Sequence, residues 1–216
     1  DLYLQDPVFA FSPAGDWIAF ASEGYDGFRN LKVVPTKGGE ARPISFLANG
    51  ESARRIAWSP DGKYVLFETA QRSESFDIAR VDLTLHVPTY REDEFRDLFR
   101  TPTQPTPKPE GKPNEAANPE LADKEKSDTA KKPQPIDIRF EGIRDRLSLL
   151  PIGLSAVAPV ISPDGKTLVF AARTGNQENL YSYSLEENPK EPPVAKQLTS
   201  SPSDKQDWQF APDSKE

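Results

Sequence analysis

The sequence predicts an all-β fold, a partial β-propeller of about three blades plus the start of a fourth. Three observations lead there. One turn motif recurs four times, its copies run into β-branched and aromatic segments, and the copies are spaced at about one propeller blade.

The copies are Phe11-Ser12-Pro13-Ala14-Gly15, Trp58-Ser59-Pro60-Asp61-Gly62, Ile161-Ser162-Pro163-Asp164-Gly165 and Phe210-Ala211-Pro212-Asp213-Ser214. The first three continue into Trp17-Ile18-Ala19-Phe20, Tyr64-Val65-Leu66-Phe67 and Thr167-Leu168-Val169-Phe170. Proline presets φ at the second turn position, aspartate tolerates the next, and glycine supplies the positive φ that ends the turn. Each copy therefore spells a hairpin. Turn chemistry accounts for every residue type in the motif. A cation on such an aspartate would need further carboxylates at ligand spacing, and none stands nearby in sequence.

The turn prolines are 47, 103 and 49 residues apart. Periods of roughly 40–50 residues with several short strands each mark a propeller, one blade per repeat. Further strands are expected at Leu31–Val34, Ala41–Phe46, Phe76–Leu83, Leu180–Leu185 and Val194–Thr199, with Gly38-Gly39 as a hairpin turn. In the Phe76–Leu83 run the apolar alternation slips at Ala79-Arg80, which predicts a bulge.

The long interval holds an insertion. Thr101–Pro135 carries eight prolines and no aromatic residue. It cannot bury enough surface to offset chain entropy, so it is expected to be a disordered tether. The apolar spacing of Phe95, Leu98 and Phe99 predicts a short helix just before it, covering the side of the propeller, with a docking helix for another domain or subunit as the lesser alternative. The expected organisation is blades one and two with the helix in 1–100, the Pro/Lys/Glu-rich insertion in 101–135, and the third blade with the start of the fourth in 136–216. An open ring would leave unpaired sheet edges. The chain also contains no methionine, and a piece of a longer polypeptide is therefore expected.

Composition excludes several functions. The net charge of −7 and pI near 5.0 argue against a nucleic-acid binder, which needs a basic face. No run approaches the roughly 18–20 apolar residues of a membrane helix. Without cysteine there is no disulfide framework or thiol chemistry, and compartment stays open.

No catalytic, cofactor-binding or metal-ligating residue is assigned, and no cofactor is expected. His86 is the sole histidine; a triad or a histidine-based metal site needs histidine beside Ser, Cys or carboxylates. Glu92-Asp93-Glu94 diverge on the expected helix and read as a solvated face. Gly38-Gly39 lacks the strand-to-helix context of a phosphate cradle. Trp58 and Trp208, the latter in the expected innermost strand Asp207–Phe210, read as packing residues, with a sugar platform as the lesser alternative.

The repeat, an aromatic residue then Ser-Pro-Asp-Gly and an alternating strand, resembles the TolB-type β-propeller repeat over most of the chain outside 101–135. Ala14, Ala211 and Ser214 depart from that pattern. The segment Phe95-Arg96-Asp97-Leu98-Phe99, a Pro-rich spacer, then Ile136-Asp137-Ile138-Arg139-Phe140-Glu141-Gly142-Ile143-Arg144 and the strand to Pro151 resembles the propeller region of tricorn-like serine peptidases. That resemblance implies a non-catalytic propeller segment that binds or guides peptide or protein substrates, with PDZ-like and catalytic domains further along the chain. The alternatives it leaves are a TolB-like protein-interaction scaffold and the propeller of an amidohydrolase. It also implies a peptide or protein partner, while the TolB-type resemblance implies a periplasmic or exported location, with the cytoplasm as the alternative.

Overall fold

The computed structural model describes residues 8–24, 28–47, 55–70, 75–85, 134–189, 191–203 and 205–211. The chain divides into two compact units, Asp1–Pro88 with Lys132–Glu216, and Thr89–Lys131. Every described residue belongs to the first. His86, Glu92–Glu94, the helical stripe at 95–99, nearly all of the 101–135 stretch and the fourth turn at 212–214 lie outside the described residues.

Twelve strands form three four-stranded antiparallel sheets among the described residues. The first is β1 (Phe9–Phe11), β2 (Trp17–Glu23), β3 (Arg29–Pro35) and β4 (Arg42–Pro43). The second is β5 (Ile56–Trp58), β6 (Tyr64–Thr69), β7 (Asp77–Asp82) and β8 (Leu147–Leu149). The third is β9 (Ala156–Ile161), β10 (Thr167–Thr174), β11 (Gln177–Ser184) and β12 (Lys196–Gln197). Each sheet is ordered as its strands occur in the chain, as a propeller blade requires. The innermost strands are neighbours, β1 beside β5 and β5 beside β9. The protein is all-β, a partial propeller.

The recurring turns close each β1–β2-type hairpin in the same way. Gly15, Gly62 and Gly165 sit at φ 72, 71 and 75°, and each donates its N–H to the serine carbonyl three residues back at 2.8 Å. In the second and third turns the serine hydroxyl donates to the aspartate, Ser59 to Asp61 at 2.7 Å and Ser162 to Asp164 at 2.6 Å. The first turn has Ala14 in that place. There Ser12 turns instead to Asp16, at 2.7 Å.

Two apolar layers hold the blades together. Ala19, Leu31 and Val33 of the first blade pack on Ile56, Val65, Phe67 and Val81 of the second. Leu66 and Ile78, on the second blade's other face, pack on Leu168, Phe170 and Tyr183 of the third. Phe67 and Phe170 are almost fully buried, which stabilises the fold by about 1.5–3 kcal/mol for each side chain. Glu68, 1% exposed, accepts the Ala158 N–H at 2.7 Å and joins the second blade to the third.

Two features differ from the sequence reading. The bulge expected at Ala79-Arg80 is absent: β6 and β7 pair without interruption from Tyr64 opposite Asp82 to Thr69 opposite Asp77. Ile78 and Ala79 are both buried because one faces the third blade and the other the first, so no slip is needed. The irregularity lies between β9 and β10, near Val169 and Ala171, where Ala158 takes φ 53°.

The second difference concerns blade two. Its outermost strand, β8, comes from Leu147–Leu149 and pairs with β7. That blade is therefore built from both sides of the long interval, where the sequence reading completed it before residue 100. The returning chain is pinned on arrival. Ile136 donates its N–H to Asp16 Oδ2 at 2.8 Å, and its carbonyl accepts the Trp17 indole N–H at 3.1 Å. Ile138 and Ile143 then enter the apolar layer between blades one and two. Arg42 lies 3.5 Å over the Phe140 ring, and Arg144 4.0 Å over Phe46.

Candidate functional site

A strand in a blade uses both hydrogen-bonding edges except at the rim and at the axis. Among the described residues β1, β5 and β9 each pair on one side only, with β2, β6 and β10. Together with residues 207–209 they border a concave space of about 540 Å³. Its side chains include Phe9, Arg55, Trp58, Val160, Asp207 and Trp208. Asp207–Phe210, expected as an innermost strand, joins no sheet among the described residues but runs along this space.

The two tryptophans play different parts. Trp58 is 9% exposed, packs in the layer between blades one and two, and donates its indole N–H to the Ala10 carbonyl at 3.1 Å. Trp208 lines the concavity, half-buried. Arg55 stands with its guanidinium 5.4 Å from the centre of the Trp208 ring and donates to the Trp208 carbonyl at 3.0 Å. No carboxylate among the described residues forms an ion pair with Arg55. A cation beside an aromatic ring and strand edges can take up a carboxylate and an extended backbone.

Arg55 is the residue that sequence reasoning passed over. An arginine in a polar run before a strand reads as solvated. The available signal was its place, one residue ahead of the innermost strand Ile56–Trp58, whose edge borders the concavity.

A second, smaller hollow lies between the turns of blades two and three, bordered by Asp61, Tyr64, Arg80, Asp164 and Glu187. Its charges are largely committed. Arg80 pairs with Asp82 at 2.8 Å and stacks 4.0 Å over Tyr64. Burial pushes the Tyr64 hydroxyl up, against the pull of the Arg80 charge. Asp61 serves Ser59, the Lys63 N–H and the Lys63 ammonium. Gly38-Gly39 forms the β3–β4 connection, with the Gly38 N–H on the Pro35 carbonyl at 2.9 Å. Among the described residues no group of three or more His, Asp or Glu is arranged to hold a metal ion. No described helix is long and apolar enough to cross a membrane.

Blade order, repeated Ser-Pro-x-Gly turns and an axial concavity define a β-propeller module. Comparison of folds narrows the type. The chain is similar to an Agrobacterium tumefaciens structure described as TolB, with a TM-score of 0.53 at 16% identity, over 90% of this chain and 46% of that one. It is also similar to TolB from Acinetobacter baumannii, with a TM-score of 0.49 at 14% identity, over 91% of this chain and 33% of that one. A third similarity is to the tricorn protease, with a TM-score of 0.48 at 12% identity, over 96% of this chain and 19% of that one. The first of these establishes a fold of the TolB propeller type. The chain spans less than half the length of each of these structures. No protein-family model matches the sequence, and no curated protein sequence matches it.

Proposed function

We propose that this propeller segment binds an extended peptide or protein segment bearing a carboxylate, in the concavity bordered by β1, β5 and β9. The observation that carries the reading is Arg55: a guanidinium without an ionic partner among the described residues, standing by the Trp208 ring in a concavity bordered by strand edges. An arriving carboxylate gains charge-assisted hydrogen bonds there, and its backbone can use strand edges that the blades leave free. The segment is non-catalytic on this reading. It captures or guides a peptide for chemistry carried out elsewhere in the polypeptide, as in a tricorn-like serine peptidase. The similarity to a TolB structure favours a second reading, a protein-interaction scaffold that serves no peptidase. A periplasmic or exported location belongs to the same proposal.

The test is a binding measurement by fluorescence anisotropy, with peptides carrying a free C-terminal carboxylate and their amidated counterparts. The free acids should bind more tightly, and Arg55→Ala should weaken them by about tenfold or more, the worth of one charge-assisted hydrogen bond. Equal binding of acid and amide, or an Arg55→Ala protein that binds like the parent, would overturn the proposal.

A further inference from the structure

The concavity bordered by β1, β5 and β9 holds two opposite charges that do not meet. Arg55 donates to the Trp208 carbonyl at 3.0 Å, and Asp207, the residue before Trp208, borders the same space. Consecutive Cα atoms are about 3.8 Å apart, so the carboxylate springs from a point close to the group that Arg55 holds. Asp207 is nevertheless exposed, and its side chain forms no ion pair or hydrogen bond among the described residues.

The loop that carries Asp207 is fastened to blade three and uses its own cation elsewhere. Lys205, the nearest cation along the chain, donates to the carbonyls of Glu178 at 3.3 Å, Ser201 at 2.8 Å and Ser203. The Gln177 amide of β11 donates to the Ser201 carbonyl at 2.6 Å. Asp207 itself takes φ 51°, a left-handed conformation that aspartate and asparagine tolerate best among residues with a Cβ. The backbone thus accounts for a short polar side chain at 207, but not for a charged one.

The two charges decide what the concavity can hold. A simple anion is drawn to Arg55 and repelled by Asp207, whereas a ligand of both signs meets attraction at each end. The two groups converge on one short stretch, so the ligand's cation must lie within about one or two residues of its carboxylate, at ~3.3 Å per residue of extended chain. We infer that the concavity selects a dipolar segment: a peptide C-terminus whose last or second-last residue is lysine or arginine, with its carboxylate on Arg55 and its cationic side chain on Asp207. The aliphatic stem of that side chain can lie along the Trp208 ring, which lines the same space, while its charged end stays beside the carboxylate. The inference rests on the carboxylate reading of Arg55 and adds to it the sign of the neighbouring group.

The test uses fluorescein-labelled peptides of one sequence ending in lysine or in Nε-acetyllysine, which keeps the stem and removes the charge. Each is made as free acid and as amide, and binding is read by anisotropy. The lysine acid should bind about fivefold more tightly than the acetyllysine acid, the worth of one ion pair partly open to water. Asp207→Asn suits the left-handed backbone and should abolish that preference, while Arg55→Ala should abolish the preference for acid over amide instead. Equal affinity of the lysine and acetyllysine acids, or a lysine preference that survives Asp207→Asn, would overturn the inference and leave the carboxylate reading standing. Equal affinity of acids and amides would overturn that reading and this inference with it.

Discussion

The carboxylate of Asp16 accepts the N–H of Ile136 at 2.8 Å, across 120 residues of sequence. Its other oxygen takes the Ser12 hydroxyl at 2.7 Å. One side chain thus does what aspartate does two positions earlier in the sister turns, and also fastens the returning chain to blade one. Asp16→Ala should cost about 1–3 kcal/mol, the range for leaving such donors unmet, and lower Tm by several degrees. Adding Ala14→Asp should restore the turn and only part of the loss, because a carboxylate at 14 does not replace the bond to Ile136. Full recovery in calorimetry would show that the Ile136 contact contributes nothing.

The three turn glycines look alike in sequence but differ in what surrounds them. A Cβ on Gly62 would lie 2.1 Å from Ile136 Cδ1, while one on Gly165 would meet only Pro60 Cδ at 3.5 Å and one on Gly15 nothing within 4 Å. All three alanine variants bear the strain of positive φ, about 1–3 kcal/mol. Gly62→Ala also meets the Ile136 side chain, which must rotate aside while Asp16 and Trp17 hold its backbone. Chemical denaturation should rank Gly62→Ala as clearly the most destabilised of the three. Combining it with Ile136→Ala should cost less than the sum of the two changes; simple additivity would remove the clash from the explanation.

What the sequence made legible follows from local chemistry. Ser-Pro-Asp-Gly fixes a turn through its own side chains, so three of the four turns could be placed to the residue, and the runs after them are strands as expected. Alternation was a poorer guide where both faces of a strand are buried. Ile78 and Ala79 read as a slip because periodicity assumes a wet side. The origin of β8 was hidden for a different reason. Leu147–Leu149 pairs with β7 across 64 or more intervening residues, and no local pattern in a three-residue strand encodes its partner. Arg55 was missed on similar grounds, since its meaning depends on Trp208 being brought beside it.

Glu68 and Ala158 form a charge-assisted clasp between blades two and three. Glu68 is buried, and its Oε2 receives the Ala158 N–H at 2.7 Å. Ala158 holds φ 53°, a region costly for any residue with a Cβ. Glycine relieves that strain, so Ala158→Gly should be neutral or stabilising by about 0.5–1 kcal/mol. Glu68→Ala should destabilise by about 1.5–3 kcal/mol, the cost of losing a hydrogen bond to a charged group. A denaturation midpoint raised by Glu68→Ala would mean that burying the carboxylate costs more than its clasp contributes.

The turn aspartates give the fold an acid sensitivity with a definite sign. At Asp61, burial raises the pKa, but the Ser59 hydroxyl and the Lys63 N–H and ammonium outweigh it and hold the carboxyl below its ordinary value of 3.8. At Asp164 the Ser162 hydroxyl is the main cause of a shift in the same direction, helped by the Lys166 N–H. A carboxyl with a depressed folded-state pKa favours the folded chain above its unfolded value. That contribution is lost as pH falls through the folded value. Asparagine keeps an oxygen acceptor for the serine and removes the titration. In Tm measured from about pH 5 to about pH 2, a window set by that linkage, the double variant Asp61→Asn, Asp164→Asn should therefore fall less steeply than the parent. The separation should open below about pH 4, where an unperturbed carboxyl begins to titrate. Parallel curves would place the acid sensitivity in other carboxylates.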